Sequence, residues 1–233
     1  MGLTAENVAK KYNLSRKEQQ DFAILSHANA AKAQLSKSFD QELTIIKKDN
    51  IEVISDGGIR PNTSQEILNN LKLVFDENGT ITAGTASPLT DGASATLVCE
   101  EEYAKANKLP IIARIKSTAI QGCPPELMGL GPINASKKAL KRANLDIKDI
   151  DIVELNEAFA SQSIACIKEL KINPEIVNIE GGAISLGHPL GATGTRITAK
   201  AASLMIKHNK KYALATQCIG LGQGIATVLE RVE

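Results

Sequence analysis

The sequence predicts an α/β protein, with a helical and then irregular region to about residue 88 and a layered α/β region after it. Three observations carry this reading. Strand-like runs such as ATLVC, IIARI, IVEL and ALATQ alternate with helical runs such as ASKKALKRA and TRITAKAASLMIKH, the pattern of a sheet layered with helices. Polar or glycine-rich turns follow the apolar runs. The first third carries its own helix signal and then loses regular periodicity.

That signal is Ser15 with Glu18, a capping box ahead of RKEQQDFAILSHANAAKAQ, in which Phe22, Leu25 and the later alanines keep a helical period. His27 on this helix reads as structural. From residue 47 to 84 the chain mixes DGG, RPN and ENG turns with short apolar stretches, the texture of a loop-rich cover over a ligand. Beyond residue 93 the alternating α/β pattern takes over. His208, beside Lys207 and Lys210, reads as the dipole-compensating end of the last helix.

Composition excludes several function classes. There are 27 basic and 26 acidic residues, giving a formal charge of +1, so nothing favours nucleic acid or an anionic membrane as partner. Tryptophan is absent and aromatics make up 3%, which argues against base-stacking platforms. No apolar run approaches the roughly 20 residues that span a bilayer, and MGLTAENVAKK lacks the apolar core of a signal peptide, so a cytoplasmic setting is expected. Four cysteines without close pairing suit a reducing compartment, and without CxxC or HxxxH spacings no metal site is expected.

Three turns stand out as places for chemistry. In residues 181–196, GGAISLGHPLGATGTR, a histidine is held between Gly187 and Pro189 in a glycine-rich turn after the apolar run IVNIE. The segment has neither the GK[ST] ending of a phosphate loop nor a GxGxxG opening a helix. In DIDIVELNEAFASQ, Ile152 to Leu155 read as a strand and residues 156–162 as the opening of a helix. Asn156 and Glu157 there could simply cap the helix and suit its dipole. In KKYALATQCIGLGQGIATVLERVE, Cys218 begins a tight turn between two strand-like runs, where a small buried hydrophobe is the ordinary reading.

Taken together, NEAF, GGAxxxGHPxGxxG and CxGxGxG in this order resemble the thiolase family. The opening segment MGLTAENVAKKYNLSRKEQQDFAILSHANAA is similar to the start of that family's loop domain, and TAGTASPLTDGASA to its substrate-lining turn. The resemblance implies a thiolase-like layered α/β C-terminal domain preceded by a helical and irregular loop domain. It places the loop domain at residues 1–88, a remnant of the N-terminal domain at 89–110, and the C-terminal domain at 111–233.

It also implies a reaction and roles. The reaction is a Claisen condensation of acetyl-CoA or thiolysis of a 3-ketoacyl-CoA, with the coenzyme A thioester as substrate and no separate cofactor. Cys218 would be the acid/base thiol. His188, with a water held by Asn156, would receive the enolate oxygen, and the histidine would also activate the nucleophilic thiol. The backbone N–H of Gly220 would give one donor of a second oxyanion hole. Ser87 would hydrogen-bond the pantetheine arm, Met128 and Phe159 would line its tunnel, and Arg60 would sit by the adenine and phosphate end. For Arg60 a solvated surface arginine is an equal reading, and Met128 and Phe159 could be core residues. PLTDGA departs from the SGxNDGA wording of short-chain biosynthetic thiolases, which leaves acyl-chain preference open.

None of Cys99, Cys123, Cys166 and Cys218 matches the nucleophilic cysteine that the family carries in its first half. Met1 aligns with an internal methionine of the family, so the chain is expected to be a C-terminal part, inactive alone, from an internal start, a split gene or a truncated gene. A large apolar face would then be exposed, favouring a homo-oligomer or a chain that supplies the missing half. Residues 89–110 are expected to be the most displaced. A non-catalytic CoA-binding or assembly module, or an inert remnant, remains the alternative; a decarboxylating ketosynthase-like enzyme fits the motif set less well.

Overall fold

The computed structural model describes residues 1–232. The chain opens with helices α1 (Gly2–Lys11) and α2 (Arg16–Leu35). The capping box forms as expected: the Ser15 hydroxyl accepts from the Glu18 amide at 3.1 Å, and the Glu18 carboxylate accepts from the Ser15 amide at 2.8 Å. Ala23, Ala30 and Ala33 of α2 are buried, whereas Leu25 faces outward, so the apolar face of this helix is narrower than its sequence period suggests. A hairpin of β1 (Ile46–Lys48) and β2 (Ile51–Val53), the short helix α3 (Gln65–Asn69) and irregular chain complete the first region.

Four further strands form one sheet in the order β3 (Arg114–Gly122), β6 (Gln223–Glu230), β5 (Tyr212–Ile219), β4 (Ile152–Leu155). β4 runs parallel to β5, while β6 is antiparallel to both β5 and β3. Strand alternation divides the side chains between two faces. Val153, Leu155, Leu214 and Val228 pack with α5 (Gly131–Ala143) and α6 (Ala160–Leu170). Ile152, Ala213, Ala215 and Leu229 meet Ile197, Ala201, Leu204 and Met205 of α8 (Thr193–Lys207) on the other. The small alanines of β5 let α8 lie close. The result is the helix–sheet–helix layering that the sequence predicts.

Two strand expectations are corrected. IIARI contributes only its last two residues, since β3 begins at Arg114. ATLVC forms no strand at all. Residues 91–99 are irregular and exposed, with Leu97 at 77% and Val98 at 67% of full accessibility. No backbone amide among them donates to another backbone group. The physical reason is that a strand exists only beside another strand, and neither sheet pairs with this segment. The short helix α4 (Glu101–Ala106) follows, tied to β3 by Glu101 with Arg114 at 2.7 Å.

An ionic cluster fastens the irregular region to α8. Lys200, 4% exposed, donates to Glu42 at 2.9 Å and to Glu180 at 2.5 Å, and lies 4.6 Å over the Phe39 ring. Lys207 pairs with Glu180, which also accepts from the Ser38 hydroxyl at 2.5 Å. A buried lysine of this kind is tolerated because both carboxylates and the ring face it.

Candidate active site

The site forms where β4 and β5 end and the glycine-rich turn enters α8. The Asn156 amide donates to the Thr216 carbonyl at 3.0 Å, so the chain is still held against β5 at this residue. Phe159 is likewise held extended by bridging to Ala86. Helix α6 therefore starts only at Ala160, with Phe159 at its N-cap. The capping reading of Asn156 and the expected helix over 156–162 are corrected accordingly: both Asn156 and Glu157 are 1% exposed and point inward.

His188 meets Asn156 there. Gly187 takes φ +94, a left-handed conformation that admits glycine readily, and a Cβ on it would strike the Thr90 side chain at 2.5 Å. The Thr90 hydroxyl accepts from the His188 amide at 3.2 Å. On the ring, the Asn156 side-chain amide donates to Nε2 at 3.3 Å, and Nδ1 donates to the Thr193 hydroxyl at 2.7 Å, which in turn donates to the Pro189 carbonyl at 3.0 Å. This network assigns the proton to Nδ1 and leaves a lone pair on Nε2. Burial, and then the charge of Arg196, lower the His188 pKa below its ordinary value, so the ring is neutral at pH 7. Asn156 Oδ1 is buried with no hydrogen-bond partner, an acceptor left unsatisfied beside the ring.

Cys218 lies one residue before the end of β5 and packs against the cluster of Ala5, Ile81, Met128, Ala158 and Phe159. Burial pushes its thiol up to about 12, so it rests protonated. Met128 and Phe159 are buried in that same cluster, so they are core residues and neighbours of the thiol at once. Ser87 donates both its amide, at 3.0 Å, and its hydroxyl, at 3.1 Å, to the Ala158 carbonyl, locking the TASP turn onto NEAF. Gly220 stands at the turn beyond β5, where a Cβ would come within 3.4 Å of the Met1 side chain. Arg60 is exposed, and its backbone amide donates to Nδ1 of His27 at 3.1 Å. Its side chain joins none of these contacts.

Thr193 and Glu154 are not singled out by the sequence, and Glu157 is given only a capping role. Thr193 orients His188 from five residues further on, as the first residue of α8, in GATGT. Glu157 was read as a dipole-suiting residue, yet it accepts from Ser26, Asn178 and Ile184. Glu154, on the α8 face of β4, is 1% exposed with both oxygens unpartnered, and burial pushes its carboxyl up to about 8. Among the described residues no group of three or more histidine, cysteine or carboxylate side chains converges as metal ligands. No helix among them is long and apolar enough to cross a membrane.

The motif-bearing turns and the layering around them have counterparts in known proteins. A model of the thiolase C-terminal domain matches residues 109–231, and one of the thiolase N-terminal domain matches residues 1–102. The chain belongs to the thiolase family. It is 52% identical over 240 residues to a 3-ketoacyl-CoA thiolase of Shewanella loihica, an alignment covering 99% of this chain and 62% of that protein. A 3-ketoacyl-CoA thiolase of Vibrio parahaemolyticus is 52% identical over 245 residues, covering 99% and 61%. The human mitochondrial 3-ketoacyl-CoA thiolase superposes with a TM-score of 0.94 at 39% identity, and the Bacillus anthracis acetyl-CoA acetyltransferase with 0.96 at 38%; each comparison covers 100% of this chain and 60% of the other. The thiolase fold is thus present, and this thiolase chain spans about three fifths of the length of these relatives. Residues 1–102 fall within the family's N-terminal domain model, so the expectation of a C-terminal part needs that refinement.

Proposed function

We propose that this chain carries the acid/base and enolate-binding side of a thiolase-type acyl-CoA acyltransferase, acting on a 3-ketoacyl-CoA or on acetyl-CoA, and that the acyl-accepting thiol comes from elsewhere. The observation that carries the reading is the neutral His188 ring, with its Nε2 lone pair beside Asn156 and an unpartnered Asn156 Oδ1. As a base, Nε2 would take the proton of an incoming thiol. The ring is then an imidazolium whose Nε2–H can donate to the oxygen of an enolate, while Asn156 Oδ1 holds a water as second donor.

Cys218 supplies the other half of the proton balance. In thiolysis, cleavage between the α and β carbons leaves an enolate, and the resting thiol gives its proton to that carbon. In condensation the same sulfur must first be a thiolate to remove the proton. A thiol pushed up to about 12 rests in the form that thiolysis needs. Ser87, Met128 and Phe159 border this thiol or its turn and would receive the pantetheine arm, and Gly220 would offer its N–H to the thioester oxygen. Arg60 would reach only the distal, phosphate end of coenzyme A.

The proposed organisation keeps the loop domain at 1–88, the N-terminal-domain segment at 89–110 and the C-terminal domain at 111–233. The exposed run at residues 95–99 supports it, because apolar side chains in water on a segment with no backbone hydrogen bond suit an absent sheet. A chain bearing that sheet and the nucleophile would be the partner, in a cytoplasmic homo- or hetero-oligomer.

The test is thiolysis of acetoacetyl-CoA by the purified chain, with a Cys218→Ala variant alongside and coenzyme A binding measured by calorimetry. Binding without turnover is expected. Turnover that disappears in the variant would overturn the need for an outside thiol, and absence of both binding and turnover would overturn the acyl-CoA reading.

A further inference from the structure

We infer that Glu157 is a positioning residue: its carboxylate ties the Asn156 turn to the turn that carries His188, and so sets the approach of those two side chains. The inference deepens the acyl-CoA reading above and rests on it for its catalytic consequence. Its geometry stands by itself.

Glu157 is 1% exposed and lies between three elements. Ser26 of α2 donates to Oε2 at 2.7 Å, the Ile184 amide donates to the same oxygen at 3.1 Å, and the Asn178 side chain donates to Oε1 at 2.8 Å. Ile184 belongs to α7 (Ala183–Leu186), the short helix whose end is Gly187, directly before His188. The same helix is held a second time: the Ser26 and Ser185 hydroxyls lie 3.0 Å apart, and the Gly182 amide donates to the Ser26 hydroxyl at 3.3 Å. Gly182 is required there, because a Cβ on it would fall 2.2 Å from Glu157 Cδ. The carboxylate is thus the point at which the turn after β4 and the turn before α8 are fastened: Glu157 directly follows Asn156, and α7, which it holds at Ile184, leads through Gly187 into His188.

The partners select a carboxylate. All three are donors, and Asn178 cannot reverse its amide, because its Oδ1 accepts from the Leu155 amide at 2.9 Å while its Nδ2 donates to the Leu155 carbonyl at 2.8 Å. A glutamine at 157 would therefore set an N–H against a donor in either orientation, with the Ile184 bond broken in one and the Asn178 bond in the other, while the Ser26 hydroxyl, which can also accept, would have to turn toward Ser185. Burial raises the Glu157 pKa, and the three hydrogen bonds and Arg196 oppose that rise. Arg196 of α8 is the charged group acting on His188, and it also acts on Asp56 of the irregular region and on Glu154 of β4. Those groups stay unchanged in the variants below.

The experiment is nitrogen-15 NMR of the histidine rings in the whole chain, for the wild type, Glu157→Gln and Ser26→Ala. The sequence holds three histidines, so each ring can be followed, and the exposed His208 at the end of α8 serves as internal reference. Loosening of the His188 turn should move its Nε2 signal and raise its titration midpoint toward the ordinary histidine value, strongly in Glu157→Gln and less in Ser26→Ala, with His208 unmoved. If Glu157→Gln does not fold, Ser26→Ala decides. Unchanged His188 signals in the folded variants, or His188 and His208 moving together, would overturn the inference. A chain that neither binds coenzyme A nor turns over would overturn the acyl-CoA reading instead, leaving the NMR result to stand or fall separately.

Discussion

Residues 91–99 and the strand β5 begin as equals in the sequence, since ATLVC and ALATQ are both short apolar runs rich in β-formers or small residues. In the structure β5 is flanked by β4 and β6 and covered on both faces, whereas residues 91–99 have no backbone partner and expose Leu97 and Val98. The difference teaches that a strand is a property of its neighbours. Hydrophobic composition makes a segment ready to pair, and the presence of an open edge beside it decides whether it does.

The comparison breaks most visibly in the core. Leu214, fully buried in β5, should cost about 2–5 kcal/mol when changed to alanine, because the packed α5 and α6 side leaves a cavity; a urea melt measures it. A loss under 1 kcal/mol would mean that the sheet is as loosely held as the arm.

Within the sheet itself the unpartnered Glu154 is the weak point. Burial pushes its folded pKa up to about 8, above the ordinary carboxyl value of 4.5, so between these values the folded state holds the proton while the unfolded state loses it. Its contribution to stability is full below 4.5 and is lost as pH rises toward 8. Glu154→Gln should therefore match the wild type near pH 4.5 and exceed it above pH 8, by about 4–5 kcal/mol. Melting temperatures across that range check the sign, and a difference that shrank with rising pH would contradict it.

The arm should show the smallest effect. Leu97→Ser is expected to change the chain's own stability by no more than about 0.5 kcal/mol, because the side chain is already in water. Amides of residues 91–99 should exchange with solvent far faster than those of β5, and a nucleophile-bearing partner should protect them. Slow exchange in the isolated chain would show that the arm already has a neighbour, such as a second copy.

Much of the fold was legible in the residues. The Ser15 and Glu18 capping box, the strand IVEL and the helices over ASKKALKRA and TRITAKAASLMIKH follow from local patterns that tertiary contacts reinforce. The site was legible as motifs but not as geometry. Asn156 looked like a cap because its neighbours in sequence suggest one, and only the Thr216 carbonyl on β5, sixty residues away, shows why the helix must wait until Ala160. Glu154 and Glu157 differ by three positions and are equally buried, yet Glu157 has three donors and Glu154 has none.

By itself the sequence determined the layered α/β class and the motifs whose resemblance to the thiolase family makes His188, Asn156 and Cys218 candidates, because periodicity and motif spacing are local. The tertiary structure alone decided which nitrogen of His188 carries the proton, which buried carboxylate is held, and which apolar run becomes a strand. Each of those depends on an atom brought from a distant part of the chain, and no local pattern encodes such a neighbour.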